Sequence, residues 1–228
     1  MSSAVIAATR PGRVFFYFST APGMKALVAV TGAAMFLFLL VHLSGNLLVF
    51  AGPEKMDHYS QFLHSMPSVL WLFRLGLLAS ILVHIWVTVA LTKATREARP
   101  IQYQVKKYFA SSYASRTMTL SGPWIAGFVI LHIAHFTTGN LHGRFQHLKP
   151  YENAVFSFHS PFVSAAYIGT MCLIGLHLTH GLWSMFQSLG WNHPRFDKAL
   201  RGSAVSFSTV LTAGFCSVPV AILAGWVQ

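Results

Sequence analysis

The sequence predicts an all-α integral membrane protein whose chain forms a bundle of five transmembrane helices. Of its 228 residues, 54% are hydrophobic and 9% are charged, and its mean hydropathy of +0.54 is higher than water-soluble domains of this length usually show. A bilayer core of about 30 Å requires roughly 20 apolar residues per helical crossing. Five stretches meet this requirement. Strands are not expected, because an open sheet edge finds no hydrogen-bond partners in lipid.

The five predicted helices cover most of the chain, which we interpret as a single membrane domain spanning residues 1–228. They are expected at about residues 24–51, 70–92, 120–139, 161–189 and 204–227. Before them, residues 1–23 are interrupted by arginine, proline and glycine and do not have the pattern of a cleavable signal peptide. We therefore expect the N-terminus to be retained. The connection between the second and third helices is polar and basic, with room for a short surface helix.

The net charge of +11 is distributed unevenly between the two sides of the predicted bundle. With the N-terminus inside, twelve of the sixteen lysines and arginines fall in inner segments: Arg10, Arg13, Lys25, Lys93, Arg96, Arg99, Lys106, Lys107, Arg116, Arg195, Lys198 and Arg201. Only Lys55, Arg74, Arg144 and Lys149 lie outside. Because cytoplasmic loops are enriched in cations, the sequence predicts an N-terminus inside and a C-terminus outside. Topology and anionic-lipid contacts explain this charge, so nucleic acid is not an expected partner.

Both cysteines, Cys172 and Cys216, lie within apolar stretches and belong to no CxxC or CxxCH motif. A covalently attached c-type haem and a cysteine-ligated iron–sulfur cluster are therefore not expected in this chain. We interpret the two cysteines as packing residues.

Six of the twelve histidines lie inside the predicted crossings: His42, His84, His132, His135, His177 and His180. An ionisable side chain is costly in the bilayer and usually faces the bundle interior, where it meets a partner. An interhelical hydrogen bond explains one such histidine equally well. Histidines on four different helices favour a ligand that they share.

The helical rise sorts four of these histidines into two layers. At 1.5 Å per residue, His42 lies about 7 Å beyond the bilayer midplane, and His132 lies about 4–5 Å toward the same, outer side. His84 and His177 lie on helices of opposite direction, about 4–5 Å and 7 Å into the inner half. Two histidines from facing helices of a bundle can hold a six-coordinate haem iron. The depths thus predict an outer pair and an inner pair of haem ligands.

Small or polar residues lie about one turn from these histidines: Gly45, Asn46, Thr88 and Gly181. They would relieve the helix surface for a flat macrocycle, or alternatively serve close helix–helix packing. His135 and His180 each lie three residues from a predicted ligand. We rank His132 above His135 and His177 above His180, partly by depth and partly by the resemblance described next.

Four segments resemble the dihaem cytochrome b membrane anchor of succinate dehydrogenase and fumarate reductase: "LLVHLSGNLLVF", "ILVHIWVTVALT", "SGPWIAGFVILHIAHFTTG" and "GLHLTHGLWSMFQSLGW". The similar family is the type in which one five-helix chain holds two haems b. The last of these four segments carries the most specific part of the resemblance to this family. Carried over by position, the resemblance implies axial ligation of an outer haem iron by His42 and His132, and of an inner haem iron by His84 and His177.

The resemblance also implies partners and a location. The chain would lie in a bacterial inner (cytoplasmic) membrane and anchor the flavoprotein and iron–sulfur subunits of succinate dehydrogenase, the respiratory complex II of the tricarboxylic acid cycle. Electrons would pass through the two haems to a membrane quinone, expected to be menaquinone. The chain has no flavin or cluster motif, so it would not oxidise succinate on its own. A higher oligomer of the complex is compatible with this assignment.

Two alternative functions stay open. The chain could anchor another quinone-linked oxidoreductase, of the hydrogenase or formate dehydrogenase type, which its co-purifying subunits would reveal. It could also be a proton-coupled transporter whose intramembrane histidines relay protons. The crossings, however, lack acidic residues and show no pair of broken helices.

Haem propionates are anionic, so we expect cations at each surface to meet them. The candidates are Arg116, Lys93 and Arg195 on the inner side, and Arg74 and Arg144 on the outer side. A role as a plain interfacial anchor explains any one of them equally well.

Quinone chemistry is predicted at the outer surface, in the connection that follows the first helix. Glu54 and His58 are the main candidates there for proton exchange with a quinone, with Asp57 and Tyr59 in lesser roles. The alternative is an inner site at the "SLGWNHPR" turn, which contains Trp191 and His193.

Overall fold

The structure is a computed structural model that describes residue 18, residues 20–99 and residues 112–228. The described residues form seven α-helices and no strand: α1 (Ala21–Asn46), α2 (Pro53–His64), α3 (Pro67–Glu97), α4 (Tyr113–His132), α5 (Pro150–Phe158), α6 (Pro161–Ser188) and α7 (Asp197–Leu223). A 3₁₀ turn, Leu47–Ala51, extends α1, and a π-helical turn, Ile133–Thr137, extends α4. Helices α1, α3, α4, α6 and α7 are long and apolar enough to span a membrane. The predicted fold class is therefore confirmed.

The observed helices differ from the predicted ones mainly at their ends. Helix α3 continues to Glu97, beyond the predicted end at residue 92. Helix α7 begins at Asp197 rather than at residue 204, and its polar first turn is held by a 2.8 Å ion pair between Asp197 and Arg201. Four predicted inner cations lie outside the described residues, as does most of the predicted surface helix: Arg10, Arg13, Lys106 and Lys107.

Proline marks the start of most of the described helices. It occupies the first or second position of α1, α2, α3, α5 and α6, where its fixed φ suits the helix and its missing N–H costs nothing. Helix α4 begins instead at Tyr113, after the N-cap Ser112, whose hydroxyl accepts a hydrogen bond from the Ser115 amide at 3.1 Å.

Helices α1 and α6 form the centre of the bundle. Helix α1 packs against α3, α6 and α7, and α6 also packs against α4 and α7. Two glycines of these interfaces leave no room for a side chain. A Cβ on Gly214 of α7 would lie 2.8 Å from Leu43 of α1, and a Cβ on Gly175 of α6 would collide with Thr212 of α7. The close contacts explain why glycine occupies both positions.

One end of the bundle, here named the cap end, is covered by α2, α5 and the C-terminal residues. The main buried hydrophobic cluster lies there and comprises Val49, Met56, Tyr151, Ala154, Phe158, Val218, Ala221, Ile222 and Val227. The opposite end, which carries residues 189–196, is named the turn end. Tyr59 of α2 packs so closely on α1 that a Cβ on Gly45 would lie 2.8 Å from its ring.

Asp57 connects the parts of the cap end. Its side chain is buried, with 4% of the residue exposed, and its carboxylate accepts hydrogen bonds from Lys149 Nζ at 2.9 Å and from the Tyr151 amide at 3.4 Å. The bond to Asp57 raises the pKa of the half-exposed Lys149. Tyr151 in turn donates its hydroxyl hydrogen to the Gln228 carbonyl at 2.8 Å. One carboxylate thus joins α2, α5 and the C-terminus.

We expect Asp57→Ala to destabilise the protein by about 1–3 kcal/mol, because the buried Tyr151 amide loses its acceptor. Thermal unfolding in lipid nanodiscs measures this effect. Lys55→Ala, on the exposed side of the same helix, is the matched control and should leave the transition unchanged. Equal unfolding temperatures for the two variants would contradict a structural role for Asp57.

Candidate functional site

His42 of α1 and His132 of α4 form what we name the cap-side pair. Their ring centroids lie 5.8 Å apart with the ring planes at 83°. Two imidazoles that each bond one metal ion at about 2 Å place their centroids about 6 Å apart. The observed separation fits a single metal ion held between the two rings.

Aromatic side chains surround the cap-side pair. Phe38 stacks on His42 with centroids 5.2 Å apart, and Phe128 stacks on His132 at 5.7 Å. Phe215 of α7 approaches His42 at 5.7 Å. The pair is therefore set in an apolar environment that would suit a large flat hydrophobic group.

His84 of α3 and His177 of α6 form the turn-side pair, in which each imidazole contacts a hydroxyl of a neighbouring helix. Thr31 Oγ1 of α1 lies 3.1 Å from His84 Nδ1, and Ser121 Oγ of α4 lies 3.1 Å from His177 Nδ1. Ser121 is fully buried.

The hydrogen bonds of Thr31 favour one tautomer of His84. A threonine hydroxyl has one hydrogen, and Thr31 can donate it within its own helix, to the Leu27 carbonyl at 2.7 Å or the Val28 carbonyl at 3.1 Å. This intrahelical donation favours Thr31 Oγ1 as the acceptor of a hydrogen bond from His84 Nδ1–H. The neutral His84 ring then has an unprotonated Nε2, which is the form of imidazole that binds a metal.

The same property follows for His42 from its contact with Asn46. The Asn46 amide nitrogen donates to the His42 carbonyl at 2.7 Å and lies 3.4 Å from His42 Nε2. Since an amide nitrogen only donates, Nε2 of His42 is the acceptor and carries no hydrogen. The lone pair of His42 Nε2 is thus engaged by the Asn46 amide, a long contact that a metal ion would have to replace.

His135 differs from His132 because both of its ring nitrogens already have partners. Its Nδ1 lies 2.9 Å from the Tyr167 hydroxyl, and its Nε2 lies 3.2 Å from Ser157 Oγ. His132 makes one long contact, 3.5 Å from its Nδ1 to the Tyr167 hydroxyl, which leaves its Nε2 for a ligand. The π-helical turn that begins just after His132 rotates His135 away from the cap-side pair and toward α5 and α6.

The Nδ1 atom of His180 is buried, and it has no hydrogen-bond partner in the described part of the chain. Its ring lies 6.4 Å from that of Trp183, whose Nε1 donates to Asp197 at 3.1 Å. Arg201 lies over the same indole ring at 3.7 Å. These contacts connect His180 with the turn end of the bundle.

The small residues near the histidines have individual roles. Gly45 accommodates the Tyr59 ring, so its lack of a side chain serves the packing of α2 on α1. This agrees with the alternative that the small residues serve close helix packing. Nothing lies within 4 Å of the Cβ position of Gly181, which leaves that surface of α6 open. Thr88 donates its hydroxyl hydrogen to the His84 carbonyl at 2.7 Å.

The cations predicted for propionates lie on the expected ends of their helices. Arg116 lies five residues from Ser121, about 7 Å toward the turn end, with its guanidinium 6.0 Å from the Tyr113 ring. Arg74 lies ten residues from His84, about 15 Å toward the cap end, and its guanidinium is 5.3 Å from the Trp71 ring. Lys93 pairs with exposed Glu97, and Arg144 and Arg195 lie over the rings of Phe156 and Phe196.

The predicted quinone residues are divided between two faces of α2. Glu54 and His58 are exposed, whereas Asp57 and Tyr59 face the protein. At the turn end, Trp191 is exposed and His193 Nδ1 accepts a hydrogen bond from the Arg195 amide. Neither group reaches a histidine pair through a described hydrogen bond.

Three residues of the site were not predicted from the sequence: Thr31, Ser121 and Tyr167. Their shared signal is a hydroxyl at the helical depth of a histidine, which does not by itself distinguish them from the other serines and threonines of these helices. Among the described residues, no three or more His, Cys, Asp or Glu side chains converge as a metal site. Comparisons with protein-family models, curated proteins and solved structures find no match to this chain.

Proposed function

We propose that this chain is the cytochrome b membrane anchor of a succinate:quinone oxidoreductase, which binds two haems b and passes electrons from an iron–sulfur partner to menaquinone. The observation that carries the proposal is the cap-side pair, in which imidazoles from two helices lie with their ring centroids 5.8 Å apart. A hydrogen-bond role alone does not require two imidazoles to face each other across the width of one metal ion.

The residues of each pair fit the requirements of a bis-histidine haem. When bound, the haem iron supplies reversible one-electron transfer. Thr31 and Ser121 would orient His84 and His177 through Nδ1 and leave Nε2 of each ring to hold the iron. Phe38 and Phe128 keep the cap-side pair in apolar surroundings, and burial of this kind tunes a haem potential.

The assignment of succinate dehydrogenase partners rests on the sequence resemblance. In this proposal the turn end faces the cytoplasm of a bacterium, and the flavoprotein and iron–sulfur subunits bind there. Electrons then enter at the turn-side pair and leave from the cap-side pair. Purification from native membranes tests which partner binds. A co-purifying protein with covalent flavin supports succinate dehydrogenase, whereas a co-purifying molybdenum or nickel protein would indicate that the chain anchors another oxidoreductase.

We expect His42→Ala and His132→Ala to lose the cap-side haem, and His84→Ala and His177→Ala to lose the turn-side haem, because a dry pocket offers no replacement ligand. The reduced visible spectrum should change from two haems b per chain to about one in each variant. Redox titration identifies the haem that remains.

His135→Gln and His180→Gln are the matched controls, since each lies three residues from a proposed ligand on the same helix. Both should keep two haems. Loss of a haem in His180→Gln, together with its retention in His177→Ala, would assign the turn-side ligand to His180. A purified protein without bis-histidine haem spectra would reject the proposed function.

We expect Thr31→Val and Ser121→Ala to retain both haems but to raise the potential of the turn-side haem. An acceptor for Nδ1–H makes the imidazole a stronger donor to ferric iron, and its loss should shift the potential upward by about 20–60 mV. Thr88→Val is the control, because the Thr88 hydroxyl bonds the His84 backbone rather than its ring. A shift as large in Thr88→Val would contradict the proposed role of the hydroxyls.

A further inference from the structure

A groove of about 490 Å³ runs between α4 and α6, beside the cap-side pair. Its lining includes Trp124, Gly127 and Phe128 of α4, and Phe162 and Tyr167 of α6, together with His135. Its volume lies in the range of small-molecule sites. Phe162 is 83% exposed and Trp124 is 56% exposed, so in a membrane the groove opens to lipid. It would therefore be reached by molecules dissolved in the bilayer.

The groove is long, narrow and aromatic. Trp124 donates from Nε1 to Thr170 Oγ1 at 3.2 Å, which joins α4 to α6 toward the turn end. From Trp124 to His135 the groove follows α4 for about 16 Å. Trp124, Phe128 and Phe162 supply flat apolar surfaces along it. These dimensions suit a planar ring with the first units of an attached apolar chain.

The hydrogen bonds of His135 leave one polar hydrogen available to this groove. Ser157 is buried, and its described hydrogen bond is the one to His135 Nε2. If Ser157 donates, the single hydrogen of neutral His135 lies on Nδ1 and is donated to the Tyr167 oxygen. The reverse direction would leave the Ser157 hydrogen buried without an acceptor, which is the costlier arrangement.

The Tyr167 hydroxyl hydrogen then needs an acceptor of its own. His132 Nδ1, at 3.5 Å, cannot accept it once Nε2 of that ring bonds iron, because Nδ1 then carries a hydrogen. The phenol oxygen accepts from both histidines and retains one hydrogen to donate. Tyr167 lines the groove, so an acceptor bound there would complete its hydrogen bonding.

We propose that this groove binds the head group of a lipid-soluble quinone, with one quinone carbonyl accepting the hydrogen bond of the Tyr167 hydroxyl. A phospholipid chain has no acceptor to offer at this depth, since Tyr167 lies six residues into α6, about 9 Å from its start. Phospholipid ester groups lie nearer the membrane surface. The site rests on the proposed function twice, for the source of its electrons and for the iron at His132 that leaves the Tyr167 hydrogen without an acceptor. It differs from both quinone sites predicted from the sequence.

The test uses the full-length protein in nanodiscs and a photoreactive azido-naphthoquinone that carries one isoprenyl unit. We expect the label on peptides of α4 and α6, with competition by the unlabelled naphthoquinone. Tyr167→Phe retains the ring packing and should weaken binding about tenfold through the lost hydrogen bond. Gly127→Leu should abolish labelling, because its Cβ position has no neighbour within 4 Å and the new side chain extends into the groove.

Gly76→Leu is the matched control: this exposed glycine of α3 also has open space at its Cβ position, but it lies outside the groove, and labelling should be unchanged. Label confined to α2 or to residues 189–196, or label displaced by phospholipid and not by quinone, would overturn the proposal. Haem spectra of the same samples separate the two hypotheses. Groove labelling without haem rejects the proposed function but leaves quinone binding in the groove, without the iron-dependent hydrogen of Tyr167. Two haems with label elsewhere reject the groove alone.

Discussion

A polar atom inside a bilayer has no water to bond, and the described arrangement of the histidine-bearing helices follows from this constraint. His84 meets a hydroxyl of α1, His177 meets one of α4, and His135 meets both α5 and α6. Each contact joins two elements across an otherwise largely apolar interface, as the Trp124–Thr170 hydrogen bond also does between α4 and α6. The imidazoles therefore add polar contacts to specific helix pairs, in addition to the close packing between the helices.

The sequence predicted the crossings well because apolar length is a property of each segment by itself. It did not predict α2 and α5 as helices, since both are short and partly polar. Their position depends on tertiary contacts, above all the buried Asp57 with its partners Lys149 and Tyr151. The early start of α7 was missed for a similar reason: charged residues suggested a loop, whereas Asp197 and Arg201 pair one turn apart within the helix.

The histidines could be sorted by depth because helical rise is nearly constant, but their hydroxyl partners could not be predicted in the same way. Serine and threonine are common in these helices, and many bond their own backbone, as Ser80, Thr92 and Thr95 do. Only the packing of α1 on α3 distinguishes Thr31 from these. The preference for His132 over His135, made from depth and resemblance, acquires a physical basis in the two occupied nitrogens of His135.

The π-helical turn after His132 acts as a phase shift in α4. Such a turn corresponds to one extra residue inserted into a regular helix, and here it begins directly after His132 and contains His135. A regular α-helix would place two imidazoles three residues apart on nearly the same side, where each could compete for one partner. The inserted residue separates their tasks: one ring faces the bundle interior, and the other completes the hydrogen bonding between α5 and α6.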